Sequence, residues 1–198
     1  MKLKFSLVPG LLVAALGVAG PAMAGVTDVA GDVVSAGADY DVVSSFVSYN
    51  PSTDMFTISG TMAGNIVSSS GGRYVWGFNR GSATNHPFAG LDNVIFDTTV
   101  ALNANGTGTI GSTALTVLVS GATISATFAA SLLPTTTAGF GAAAYTWNLW
   151  PRLGTTNTDF APDNAMAAVD VVPEPATWAM MGLGLAGLVV VSRRRRQR

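Results

Sequence analysis

Between residues 25 and 172 the chain alternates apolar and polar positions with a period of two. Asp54-Met55-Phe56-Thr57-Ile58-Ser59 places Phe56 and Ile58 on one face and Thr57 and Ser59 on the other. Leu115, Val117 and Val119 repeat the pattern, as do Ile124, Ala126 and Phe128, and then Tyr145, Trp147 and Leu149. The run from Asn93 to Leu102 puts Val94, Phe96, Val100 and Leu102 on one side, and further strands are predicted over 42–49, 73–78 and 167–172. Successive side chains of an extended chain point to opposite faces, so this alternation predicts half-buried β-strands. Turn-forming clusters separate the runs: Asn50-Pro51-Ser52, Ser70-Gly71-Gly72, Asn79-Arg80-Gly81, Asn103-Ala104-Asn105-Gly106 and Ser120-Gly121. The only helix candidate, near 127–133, reads equally well as a strand. The pattern predicts an all-β domain, an antiparallel β-sandwich of jelly-roll-like or immunoglobulin-like form.

The two ends read differently. Lys2 and Lys4 precede an apolar core over 7–18, and Ala22-Met23-Ala24 sets small residues before Gly25. These are the parts of a secretory signal, with Ala22, Ala24 and Gly25 at the cleavage site and signal peptidase and the general secretion machinery as partners. At the other end, residues 176–192 carry no charge. As a helix they would cover roughly 26 Å, the short end of a membrane span. Arg193, Arg194, Arg195 and Arg196 follow and would stop transfer on the cytoplasmic side. The expected division is a signal peptide over 1–24, an exported β-rich domain over 25–172, and an anchoring segment over 173–198 with a single transmembrane helix. The ectodomain would then lie outside the cytoplasm at the inner membrane.

Charge sharpens this picture. Residues 25–172 hold three arginines (Arg73, Arg80 and Arg152), no lysine, no glutamate and ten aspartates, a net charge of −7. Such a surface repels phosphate backbones and argues against nucleic-acid binding. The absence of cysteine excludes disulfides, thiolate metal sites and a cysteine nucleophile. His86 is the only histidine, and no Gly-X-Ser-X-Gly elbow accompanies it. No catalytic residue is assigned, and no cofactor is expected. Two loose acidic groups, Asp28/Asp32/Asp39/Asp41 and Asp159/Asp163/Asn164, have oxygen ligands suited to calcium, but neither has the spacing of a calcium loop, so no metal site is assigned. Tyr74, Trp76, Trp147 and Trp150 are either core residues or rings for stacking on a sugar.

The segment joining domain and tail carries the most specific signal. In Val172-Pro173-Glu174-Pro175 each proline fixes its own backbone and pushes the preceding residue toward an extended form. A stiff extended tripeptide is thereby set before the apolar run. Taken in order, Val172 to Pro175, Ala176 to Leu188 and the arginine run resemble the PEP-CTERM protein-sorting domain of Gram-negative bacteria. The resemblance covers about 27 of the 198 residues. It implies sorting by exosortase, a membrane transpeptidase-like enzyme, in biofilm-forming species that produce exopolysaccharide. For residues 25–172 it implies no activity. The expectation is a non-enzymatic envelope or matrix protein associated with exopolysaccharide, found after processing at the cell surface or in the matrix. A secreted carbohydrate-active hydrolase and a self-associating structural protein are the alternatives.

Overall fold

The computed structural model of the protein describes residues 25–172 and 181–188. The predicted signal segment, with Ala22 and Ala24, lies outside the described residues. So do Pro173, Glu174, Pro175 and Arg193 to Arg196.

The domain is built from β1 (Val26–Thr27), β2 (Val42–Asn50), β3 (Met55–Met62), β4 (Arg73–Asn79), β5 (Thr98–Asn103), β6 (Thr107–Ile110), β7 (Thr113–Ser120), β8 (Thr123–Ala129), β9 (Thr146–Leu153), β10 (Thr156–Asn157), β11 (Ala167–Ala168) and β12 (Asp170–Val171). Hydrogen bonding links them in the order β1-β2-β3-β8-β7-β6-β5-β4-β9-β10, with β11 added to β9 and β12 added to β2. Every pairing is antiparallel except that of β12 with β2. The antiparallel all-β expectation stands. The expectation of two separate sheets gives way to one sheet folded over on itself.

The fold-over happens in β7. Its first half, Thr113 to Thr116, pairs with β6, and its second half, Val117 to Ser120, pairs with β8. One strand thus hydrogen-bonds to both halves of the sheet. The corner is tight: a Cβ on Gly108 would sit 2.7 Å from Val117 Cγ2 and 2.9 Å from Leu102 Cδ2, closer than real side chains approach. Glycine removes that obstacle where the sheet turns back.

The core fills the space between the halves. Phe56, Ile58, Ile124 and Phe128 come from the β3–β8 side, and Tyr74, Trp76, Phe78, Val100, Leu102, Trp147 and Leu149 from the β4–β5–β9 side. The ring of Phe56 lies 6.0 Å from that of Phe78 and 5.9 Å from that of Tyr145. Burying each such side chain stabilises the fold by about 1.5–3 kcal/mol. The alternation therefore selects the face, and packing of the two faces selects the fold-over.

Two predicted strands change shape. The run over 93–102 is a strand only from Thr98. A bend at Asp97, whose amide donates to the Phe78 carbonyl at 2.9 Å, lies between Phe96 and the strand and resets the phase. Val100 and Leu102 enter the core, whereas Phe96 packs on the outer face of the sheet. The last predicted strand, 167–172, is two short pairings. β11 lies on β9 and β12 on β2, so five residues touch both open edges of the folded sheet. The Val172 amide still donates to the Tyr49 carbonyl at 2.9 Å. Unpaired edges invite association with other chains, and this crossing segment covers part of each.

In the tail, residues 181–188 are helical. No helix among the described residues is long and apolar enough to cross a membrane. The predicted span of 176–192 extends beyond the described residues at both ends.

Candidate functional site

The four rings proposed for sugar contact are core residues. Tyr74, Trp76 and Trp147 point between the two halves of the sheet and are at most 1% exposed. Their polar atoms are used internally. Tyr74 Oη donates to the Asp39 carbonyl at 2.7 Å, Trp76 Nε1 to Ser45 Oγ at 3.3 Å and Trp147 Nε1 to the Ala168 carbonyl at 3.0 Å. Trp150 lies on the opposite face of β9, as its odd spacing from Trp147 predicts, but it too is buried, under Phe88, Phe96 and Phe160. Tyr74, Trp76 and Trp147 present no free ring face, which corrects the stacking expectation for these three residues.

The outer cluster instead forms the floor of a cavity. An open cavity of about 310 Å³ is lined by the apolar Val75, Phe88, Phe96 and Trp150 together with Thr99, Arg73, Arg152 and Asn157. Three strands set this geometry. Arg73 on β4 stands directly opposite Arg152 on β9, and Asn157 on β10 stands opposite Arg152 on its other side. The floor depends on Gly77. A Cβ there would come within 2.7 Å of the Trp150 ring and 2.9 Å of the Phe96 ring. The indole occupies the space that any other residue would need.

The rim is electrostatically unusual. Like charges directly opposite on neighbouring strands repel. The domain has ten aspartates with which to neutralise Arg73 and Arg152. Yet the one salt bridge among the described residues joins Arg80 to Asp97, with Nε and Oδ1 2.8 Å apart. Burial works against the charge of Asp97, but the Arg80 side chain and amide outweigh it and hold the carboxyl below its ordinary value. Arg152 bonds only the Thr155 carbonyl, through Nη2 at 3.3 Å, and its buried Nε has no partner. Arg73 and Arg152 therefore line one largely apolar cavity, and among the described residues neither is paired with a carboxylate. Such planar donors suit carboxylates and other anions.

A second charged region adjoins the first. The fold brings the two acidic groups of the sequence together, although more than a hundred residues separate them. Carboxylate oxygens of Asp32, Asp41 and Asp159 all lie within 4.8 Å of one another, and so do those of Asp28, Asp32 and Asp163. Asp39 and Asn164 stay outside. Asn164 instead accepts the Asn93 amide at 2.9 Å. Asp159 ties the two chain segments, because its Oδ2 accepts the Val42 amide and its Oδ1 the Phe160 amide, at 2.6 and 2.7 Å. Asp41 accepts the Gly31 amide on Oδ2 at 2.7 Å. Desolvation, opposed in part by backbone donors and reinforced by neighbouring carboxylates, pushes both Asp28 and Asp159 up to about 6. His86 takes no part in either region. It is exposed, with Nδ1 2.6 Å from the Asp92 carbonyl. Sequence reasoning missed the cavity because its rim and floor come from strands far apart in the chain.

Residues 171–196 match the family model of the PEP-CTERM protein-sorting motif. That motif marks an exported, membrane-anchored surface protein that is processed by exosortase. No curated protein and no solved structure matches the chain.

Proposed function

We propose that this protein is a non-enzymatic surface component whose exported domain binds acidic polysaccharide through the arginine-rimmed cavity. The observation that carries the reading is the pairing of Arg73 with Arg152 across β4 and β9, with no carboxylate partner for either among the described residues, beside a cavity lined by aromatic rings. A uronate-type sugar offers a carboxylate for the guanidinium forks and a ring face for the apolar floor. Export fits this partner, because an exopolysaccharide is met outside the cell. In this reading residues 176–192 form a single membrane span, Arg193 to Arg196 stay cytoplasmic, and exosortase acts near Pro173-Glu174-Pro175. The final location is the cell surface or matrix, and the two faces of the folded sheet act as a sandwich around one core.

The test is binding of the full chain, purified in detergent, to a polyuronate and to neutral dextran. The polyuronate binds saturably and dextran does not. Arg73→Ala and Arg152→Ala each weaken binding at least about tenfold, the loss expected for a charge-assisted hydrogen bond. Added salt weakens it further. Equal binding to dextran, or unchanged binding by the double variant, would sink the proposal. Release of oligosaccharide would replace it with the hydrolytic reading.

A further inference from the structure

We infer that Asp32, Asp41 and Asp159 form a calcium site, extended by Asp28 and Asp163, that joins the start of the domain to its 157–163 segment. The inference stands apart from the arginine-rimmed cavity and does not depend on polysaccharide binding. Proximity of the carboxylates is not what carries it. Asp41 is 3% exposed, and its buried Oδ1 has no hydrogen-bond partner. This orphaned oxygen belongs to a side chain whose carboxylate lies among those of Asp32 and Asp159. A buried carboxylate oxygen without a donor costs several kcal/mol in general, and proteins relieve that cost with a hydrogen bond or a cation. Neither a donor nor a salt-bridge partner reaches it among the described residues.

Three further features point to a ligand. The buried Oδ2 of Asp28 is also without a partner. A cavity of about 180 Å³ opens beside the cluster, lined by Asp32, Asp159 and Asp163. Asn157, whose buried Oδ1 also lacks a partner among the described residues, lines the same cavity.

The donor set chooses the ion. All candidate ligands are oxygens, and neither histidine nor cysteine is near, which disfavours zinc. Oxygens bound to one calcium lie about 2.3–2.6 Å from it, so they stand at most about 5 Å from each other. The 4.8 Å limit within each trio meets that condition. Magnesium demands shorter, near-octahedral coordination, which carboxylates carried by separate loops satisfy poorly. Asp32 is common to both trios and bridges the inner ligands, Asp41 and Asp159, to the outer pair, Asp28 and Asp163.

The test is calorimetric titration of the full chain, purified in detergent and stripped with EDTA, with calcium chloride and separately with magnesium chloride. Calcium binds with a Kd of about 10⁻⁴–10⁻³ M, the range of extracellular modules, and magnesium at least about tenfold more weakly. Calcium at ten times its Kd raises the folding equilibrium constant about elevenfold, read as a higher midpoint in urea. Asp41→Asn and Asp159→Asn abolish both effects, while Asp92→Asn, outside the cluster, leaves them intact. Because the two buried variants could fail to fold, Asp32→Asn provides an exposed alternative, its folding checked by circular dichroism. It weakens calcium binding at least about tenfold and raises stability without metal, by removing one of five crowded negative charges. Absence of calcium heat in the parent chain, or wild-type calcium affinity in folded Asp32→Asn, overturns the inference.

Discussion

Two charged regions meet at residues 156–163. On one side Arg73 and Arg152 line a cavity with aromatic walls and, among the described residues, pair with no acid; on the other, five aspartates crowd together and, among the described residues, pair with no base. The fold does have the means to cancel charge, as Arg80 and Asp97 do at 2.8 Å. The difference teaches that like charges gather in each region with opposite sign, which is what the proposed anion site and the inferred cation site each rest on. Asn157 lines both cavities, and Phe160 packs on Trp150 while its amide bonds Asp159. The regions are therefore mechanically close and chemically opposite.

The strongest way to break this comparison is to remove the floor of one side only. Trp150→Ala deletes a 3% exposed indole that touches Phe88, Phe96 and Phe160. It should lower stability by about 3–5 kcal/mol, measured by urea unfolding. Polyuronate binding should disappear, while calcium affinity changes far less. Equal loss at both regions would show that they form one unit.

A smaller intervention adds a single methyl group. Gly77→Ala pushes a Cβ into the Trp150 and Phe96 rings. Overpacking of this kind costs about 1–3 kcal/mol. The expected result is a lower urea midpoint and weaker polyuronate binding. An unchanged midpoint would mean that the floor is looser than its distances indicate.

The smallest effect is a pH dependence confined to the acidic side. Asp28 and Asp159 are pushed up to about 6, first by desolvation. The unfolded chain has the ordinary aspartate value, so the folded state binds protons more tightly. In EDTA, stability should therefore rise as pH falls from 7.5 to 5 and be lost again as pH rises through 6. Solvent screening of the partly exposed Asp28 reduces the gain to about 1 kcal/mol. Asp159→Asn should flatten the profile, followed by thermal unfolding at each pH, whereas Arg73→Ala should not.

Much of the fold was legible because it rests on local alternation. The buried faces of β3, β8 and β9 follow directly from Phe56/Ile58, Ile124/Ala126/Phe128 and Trp147/Leu149. The opposite placement of Trp150 follows from the same spacing. Phe96 was misplaced because the bend at Asp97 breaks the phase before Thr98. The sites were less legible, since they depend on pairing between distant strands. Nothing local to Arg73 announces Arg152, which β4–β9 register alone sets opposite it. Likewise Asp41 and Asp159 meet only because Val42 donates its amide to Asp159. The PEP-CTERM motif was readable at once, because its information lies in contiguous residues rather than in tertiary contacts.

The short pairing of β12 with β2 has a consequence for release. Among the described residues Val172 makes the last backbone bond of the body, to Tyr49, and the next residue is Pro173, which has no N–H to donate. Under the proposed processing, scission past that proline would leave the described strand pairings in place, whereas trimming back through Val171 would remove β12 from β2, and through Ala168 would begin to strip β11 from β9.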